Sequence, residues 1–380
     1  MVAGKQLMAK WGVHLAVPSS LNSRLSRWFP LGSVCGLFLL LAGGSVTANE
    51  TTNEFQWTGT NVVANGGWGR MIHLADHQWL AVNTHFARQE STLQVRQSGD
   101  VTNGWPLVAT VREPGRRLDN GELIQLPAGE ILLTGRSLID GQSYRLPVYR
   151  SVDGTNWNFL SNIDVNEGPP GSLSQRGLWE PHFFLLADGR LAVAYANEKH
   201  AADQPAFSQT CSERISTDSG QTWGREIILA AEPGGGRLRP GMPVVTRMAN
   251  GQFISVYEVV GHNDAEVFSK ISADGEHWPP GLGRPILGHH AGPFVTSLST
   301  GELLLTSCAN RLSGSRDFGA TWQPLGPPAW DFGPGKVFTW PAIYEIAPQQ
   351  IAVMISRNGV KLRLGQFRET GTSMQIPTGE

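Results

Sequence analysis

The sequence predicts an all-β chain folded as a six-bladed β-propeller, and three observations carry that reading. One turn, Ser-x-Asp followed by Gly and Trp, recurs five times: Ser98-Gly-Asp100-Val-Thr-Asn-Gly104-Trp105, Ser151-Val-Asp153-Gly154-Thr-Asn-Trp157, Ser216-Thr-Asp218-Ser-Gly220-Gln-Thr-Trp223, Ser272-Ala-Asp274-Gly275-Glu-His-Trp278 and Ser315-Arg-Asp317-Phe-Gly319-Ala-Thr-Trp322. The aspartates stand about 40 to 65 residues apart, the spacing of four-stranded blades and not of a helical solenoid. Ahead of each Asp turn lies a plain hairpin turn between strand-like runs: Ala75-Asp76-His77, Pro127-Ala-Gly129, Ala187-Asp-Gly189, Ala249-Asn-Gly251 and Ser299-Thr-Gly301. Finally, a sixth unit, 338–346, 351–355 and 360–367, has three strands and no Asp turn, and Phe55 to Val63 supplies the missing fourth. That closure leaves no open sheet edge; a five-bladed ring is the competing option.

Taken in order, the chain begins with Lys5, Lys10, Arg24 and Arg27, an apolar run from Leu31 to Ala42, and small residues ending Val46-Thr47-Ala48. This is the layout of a secretory signal cut after Ala48. The apolar run falls short of the roughly 20 residues that span a bilayer, so the expectation is an exported protein, residues 49–380, without stable membrane association; an uncleaved anchor is the alternative. Each following repeat reads as an apolar strand, a polar turn, a second strand, a third strand entering the Asp turn, and a short fourth strand. In the turn, Ser and Asp oxygens accept backbone amides, Gly supplies positive φ and Trp covers the hairpin. These turns report fold, not chemistry.

Charged residues make up only 16% of the chain and the net charge is −2, so no basic surplus exists for nucleic acid. Cys35 would leave with the signal, and Cys211 and Cys308 fall in non-neighbouring repeats, so two buried free thiols are expected. No Cys/His spacing suits zinc, and no phosphate loop or dinucleotide fingerprint occurs, so neither metal nor cofactor is expected.

Strand order sorts the polar residues. If first strands run from face one to face two, all Asp turns lie on face two. Face one then gathers Arg70, Asn120, Glu180, Arg239 and the pair His289-His290 at first-strand starts, with Arg136, Asn197-Glu198 and Glu258 at second-strand ends. Polar groups crowded at the mouth of a central channel mark a ligand site. Glu180 and Glu258, from adjacent blades, suit the acid and the nucleophile of a retaining glycosidase, which stand about 5 to 5.5 Å apart. The competing reading pairs each with a rim arginine. The arginines would orient substrate or tune the acids, the histidines would wall the site, and Trp179, Tyr257 and Trp340 would offer faces to a sugar, although strand alternation turns some of these inward.

The repeated turns resemble those of the Asp-box (BNR) proteins of the sialidase superfamily. Beyond them, Gly177-Leu-Trp-Glu-Pro181, Arg239-Pro-Gly-Met-Pro-Val244, Ser255-Val-Tyr-Glu258, Arg70-Met-Ile72 and Asn120-Gly-Glu-Leu-Ile-Gln-Leu126 resemble the exo-1,5-α-L-arabinanases of glycoside hydrolase family 93. That resemblance implies Glu180 as acid/base and Glu258 as nucleophile in an exo-acting hydrolase that releases short arabinose units from an oligo- or polysaccharide. An exo-α-sialidase is the alternative: Arg70 resembles the first arginine of the sialidase carboxylate-binding triad and Arg239 could be the second. A third arginine is not evident, and Tyr344 comes several residues late for the sialidase nucleophile. A propeller that binds glycan or protein without chemistry is the third reading.

Overall fold

The computed structural model describes residues 55–87, 90–173, 176–332 and 337–368. The expected signal, residues 1–48, lies outside the described residues. Strand β1 (Phe55–Ala64) precedes the first blade, made of β2 (Gly67–His73), β3 (Trp79–His85), β4 (Thr92–Ser98) and β5 (Leu107–Val111). Blade two holds β6 (Arg117–Gln125), β7 (Ile131–Ile139), β8 (Ser143–Ser151) and β9 (Asn158–Glu167), and blade three β10 (Leu178–Leu185), β11 (Leu191–Asn197), β12 (Thr210–Ser216) and β13 (Ile227–Ala230). Blade four is β14 (Arg239–Arg247), β15 (Phe253–Val260), β16 (Glu266–Ser272) and β17 (Arg284–His290); blade five is β18 (Phe294–Ser297), β19 (Leu303–Thr306), β20 (Leu312–Ser315) and β21 (Gln323–Pro324). Blade six joins β22 (Ala342–Ala347), β23 (Gln350–Ser356) and β24 (Val360–Phe367) to β1, in the order β1-β24-β23-β22.

The ring is six-bladed, closed as the sequence suggested. Phe55 lies opposite Phe367 and Ala64 opposite Val360 in an antiparallel ladder. The first strand of blade six starts at Ala342, later than the Phe338 read from the sequence, because Trp340 takes a positive φ and Pro341 lacks an amide hydrogen for the ladder. Deleting residues 55–64 is expected to bare the edge of β24 and cause aggregation, as read by size-exclusion chromatography.

All five Asp turns follow third strands and so lie on the face away from the starts of the first strands. In the second, Ser151 Oγ accepts the Gly154 amide at 2.9 Å and donates to Asp153 Oδ1, which also accepts the amides of Thr155 and Asn156 at 2.8 Å. The turns at Asp218, Asp274 and Asp317 repeat this. Each also grips the preceding blade. A Cβ on Gly319 would meet Ile254 Cδ1 at 2.6 Å, and the φ of +84° there already disfavours a side chain. Trp278 Nε1 donates to Glu213 Oε2 of blade three at 2.9 Å, while Trp223 stacks on Phe183 within its own blade. The turns therefore fasten blade to blade as well as capping hairpins. Between blades three and four the filling is Phe184, Leu186, Phe253, Tyr257 and Phe268; burying each such side chain contributes about 1.5–3 kcal/mol. Cys211 and Cys308 are buried free thiols.

Candidate active site

One backbone device recurs at the mouth of all six blades. Trp68, Asn120, Glu180, Met242, Ala291 and Trp340 each have φ between 42° and 54°, a region that residues other than glycine seldom enter. Each is followed by Gly or Pro: Gly69, Gly121, Pro181, Pro243, Gly292 and Pro341. In blades one to four the first-strand ladder skips a register there, so the device is a β-bulge that re-aims the side chains around it. Glycine is required where blades crowd: a Cβ on Gly69 would lie 2.3 Å from Val360 Cγ1 and 2.6 Å from Met354 Sδ. At the third bulge the left-handed residue is Glu180 itself.

The bulges also supply amides to the neighbouring blade. Glu180 accepts the Met242 amide of blade four, and Glu258 Oε2 accepts the Gly292 amide ahead of blade five at 2.7 Å. Glu180 is only partly exposed. Burial first, and then the charge of Glu258, pushes its carboxyl up to about 8 against the opposing pull of Arg136 and Arg239. Glu258 is also raised by burial, with the Gly292 amide and Arg239 pulling it back. The two carboxyls thus share one field, and Glu180 is the one held protonated near neutral pH.

The three rim arginines are each committed to a carboxylate. Arg136 Nε and Nη2 donate to Asp119 Oδ1 and Oδ2 at 2.7 and 2.5 Å, and the guanidinium lies 3.9 Å from the Trp179 ring centroid. Its buried Nη1 has no hydrogen-bond partner among the described residues. Arg239 Nη2 donates to Glu198 Oε1 at 2.5 Å and Gln209 Oε1 at 2.9 Å, and Glu198 also accepts the Gly177 amide. Arg70 sits deeper, with Nε 3.5 Å from Glu122 Oε2, Nη1 donating to the Gly69 and Trp340 carbonyls, and the guanidinium over Trp68. His182 Nε2 donates to the Val245 carbonyl, which leaves Nδ1 facing Glu122 Oε1 at 3.9 Å. Arg70, Glu122, Glu180 and His182 line a cavity of only about 10 Å³, too small to enclose a ligand.

Glu180, Glu258, Arg70, Arg136 and Arg239 therefore meet at one mouth, with Asn120 on the blade-two bulge. Other expectations need correction. His289 and His290 end β17, the outer strand of blade four, instead of opening blade five. That strand continues through Gly288, whose φ of +80° lets His290 pair with Glu266. His289 is buried between the hydroxyls of Ser307 and Ser313, and burial, Arg311 and His290 push it down to about 3, so it is a neutral wall residue. Tyr257 is fully buried and donates to the Leu282 carbonyl. Trp179 turns one face to Arg136, while Trp340 stays 38% exposed at the rim. Sequence reasoning missed Asp119, Glu122, His182 and Gln209; Glu122 and His182 were detectable as the residues two beyond each left-handed position.

No protein-family model matches the chain, and no curated protein matches it. Solved structures do. The chain is similar to the Penicillium chrysogenum α-L-arabinanase complexed with arabinobiose, with 20% identity, 81% of this chain and 98% of that one covered, and a TM-score of 0.69. It is similar to the family 93 α-L-arabinofuranosidase of Fusarium graminearum with arabinobiose, with 17% identity, 82% and 98% covered, and a TM-score of 0.67. The NanB sialidase of Streptococcus pneumoniae follows at 12% identity, 83% and 71% covered, and a TM-score of 0.55. The chain thus shares its six-bladed propeller with arabinan-type glycoside hydrolases and with sialidases.

Proposed function

We propose that this protein is an exported, retaining exo-glycosidase that cleaves a neutral arabinan-type glycan. The observation that carries the reading is the pair of partly buried carboxyls on adjacent blades, one of them, Glu180, pushed up to about 8. A retaining hydrolase needs one acid that keeps its proton and one carboxylate that attacks. Glu258 attacks the anomeric carbon while Glu180 gives its proton to the leaving oxygen; water then cleaves the glycosyl ester as Glu180 takes a proton back. Substrate charge follows from the arginines. With Arg70, Arg136 and Arg239 matched to Glu122, Asp119 and Glu198, these three leave no surplus cation for a carboxylate-bearing sugar, which disfavours sialic acid. The arabinobiose bound by these two neighbours supports arabinose as the sugar.

The test is product analysis on linear arabinan and on sialyllactose, with ¹H NMR of the first anomer released. Short arabinose products of retained configuration are expected from arabinan, and none from sialyllactose. Sialic acid release would replace this reading with a sialidase, and binding without turnover on either would leave a binding propeller. Export is tested separately by sequencing the N-terminus of the mature protein, expected at Asn49.

A further inference from the structure

On the face opposite Glu180 and Glu258, a cleft of about 540 Å³ opens where blades five and six meet. Its walls come from the β18–β19 turn, the last Asp turn, the β22–β23 hairpin and the end of β24, and include Glu302, Arg316, Phe318, Gln349, Phe367 and Arg368. The volume falls within the roughly 300–1,000 Å³ of small-ligand sites.

Phe318 is the unusual residue of this cleft. It has φ of +57° and stays 39% exposed. In the other full-length turn the equivalent residue is Ser219, with φ of +61°, so the turn itself needs no aromatic ring. A bulky residue is disfavoured at positive φ. Part of the residue stays open to solvent in the cleft wall. Around it the polar groups are flat: Arg316 Nε lies 3.4 Å from Glu302 Oε1, and Arg368 Nη2 donates to Gln56 Oε1 at 3.1 Å. Phe367 is fixed edge-on against Phe55. An apolar ring beside planar guanidinium, carboxylate and amide groups is the chemistry that takes a saccharide, its C–H face on the ring and neighbouring hydroxyls bridged by the planar groups. Glu302 offsets the charge of Arg316.

We propose that this cleft is a second saccharide-binding site, which holds a polymeric glycan away from the catalytic mouth. Only the choice of arabinan as probe rests on the function proposed above. The experiment is affinity electrophoresis through gels containing linear arabinan, comparing Glu258→Gln with Glu258→Gln/Phe318→Ser and Glu258→Gln/Arg316→Ala. Serine is chosen because Ser219 already occupies that place in a sister turn. The apparent Kd should rise about five- to tenfold in both double variants. In the active chain, Phe318→Ser should leave kcat/KM on a short arabino-oligosaccharide unchanged and lower it several-fold on the polymer. Equal retardation of the three proteins, or no retardation of Glu258→Gln itself, overturns the proposal. If the wild-type chain hydrolyses nothing yet Phe318→Ser weakens retardation, the cleft stands and the catalytic reading fails. If the wild-type chain hydrolyses arabinan while Phe318→Ser leaves retardation unchanged, the catalytic reading stands and the cleft fails.

Discussion

Replacing Glu258 by glutamine is expected to abolish turnover while leaving the propeller folded. The amide keeps the shape of the side chain, and its oxygen can still accept the Gly292 amide now held at 2.7 Å. What is lost is the nucleophilic carboxylate. Removing the nucleophile from such a pair typically costs about 10⁴-fold or more in kcat. Stability should move the other way. Burial raises the folded-state pKa of Glu258 above its unfolded value, so between those two values the folded chain binds more protons than the unfolded one, and stability falls as pH rises. Glutamine has no such penalty. The melting temperature of Glu258→Gln should therefore match wild type below the usual carboxylate range and exceed it at alkaline pH. Steady-state kinetics with melts at pH 4 and 9 check both halves, and wild-type turnover in the variant would remove Glu258 from the mechanism.

Glu180→Ala should divide substrates by leaving group. General-acid assistance contributes roughly 10²–10⁴-fold, so the variant should lose about that much on arabinan, whose leaving sugar alcohol needs a proton. On an aryl arabinofuranoside with an acidic phenol the loss should shrink to within about tenfold. The pH profile carries a second signature. With Glu180 raised to about 8, its protonated form dominates below that pH, so wild-type kcat/KM should fall as pH climbs through about 8. In Glu180→Ala that alkaline limb should vanish. A loss equal on both substrates, with the limb intact, would make Glu180 structural.

The legible parts of this chain were those in which a side chain must answer a fixed backbone demand. An aspartate recurring before Gly and Trp can be read because its oxygens accept the turn's own amides, as Asp153 does. Strand order then brought Glu180, Glu258, Arg136 and Arg239 to one rim. Tyr257 beside Glu258 shows the limit of residue lists: neighbours in a strand face opposite ways, so a carboxylate in the mouth sends the preceding tyrosine into the blade. The bulges hid more. An extra residue at Asn120 and Gly121 shifts the ladder between Asp119 and Glu122. Simple alternation then fails just where Asp119 grips Arg136 and Glu122 approaches Arg70. His289 is another such case: it reads as the start of a first strand, while the structure carries the outer strand of blade four through Gly288 to His290.

The pairing of β1 with β24 also sets an order of assembly. Blades one to five each come from contiguous chain and can form in sequence as it is made. Blade six cannot, because the partner of Phe55 is Phe367. Ring closure is therefore the last event of synthesis, and until then β1 waits as an unpaired strand whose side chains alternate in burial once docked. The same ladder puts the two ends of the fold within about 5.5 Å of each other. A short linker between them, with new ends opened between blades one and two, would give a circular permutant in which the former clasp is an ordinary contiguous blade and the waiting strand no longer exists.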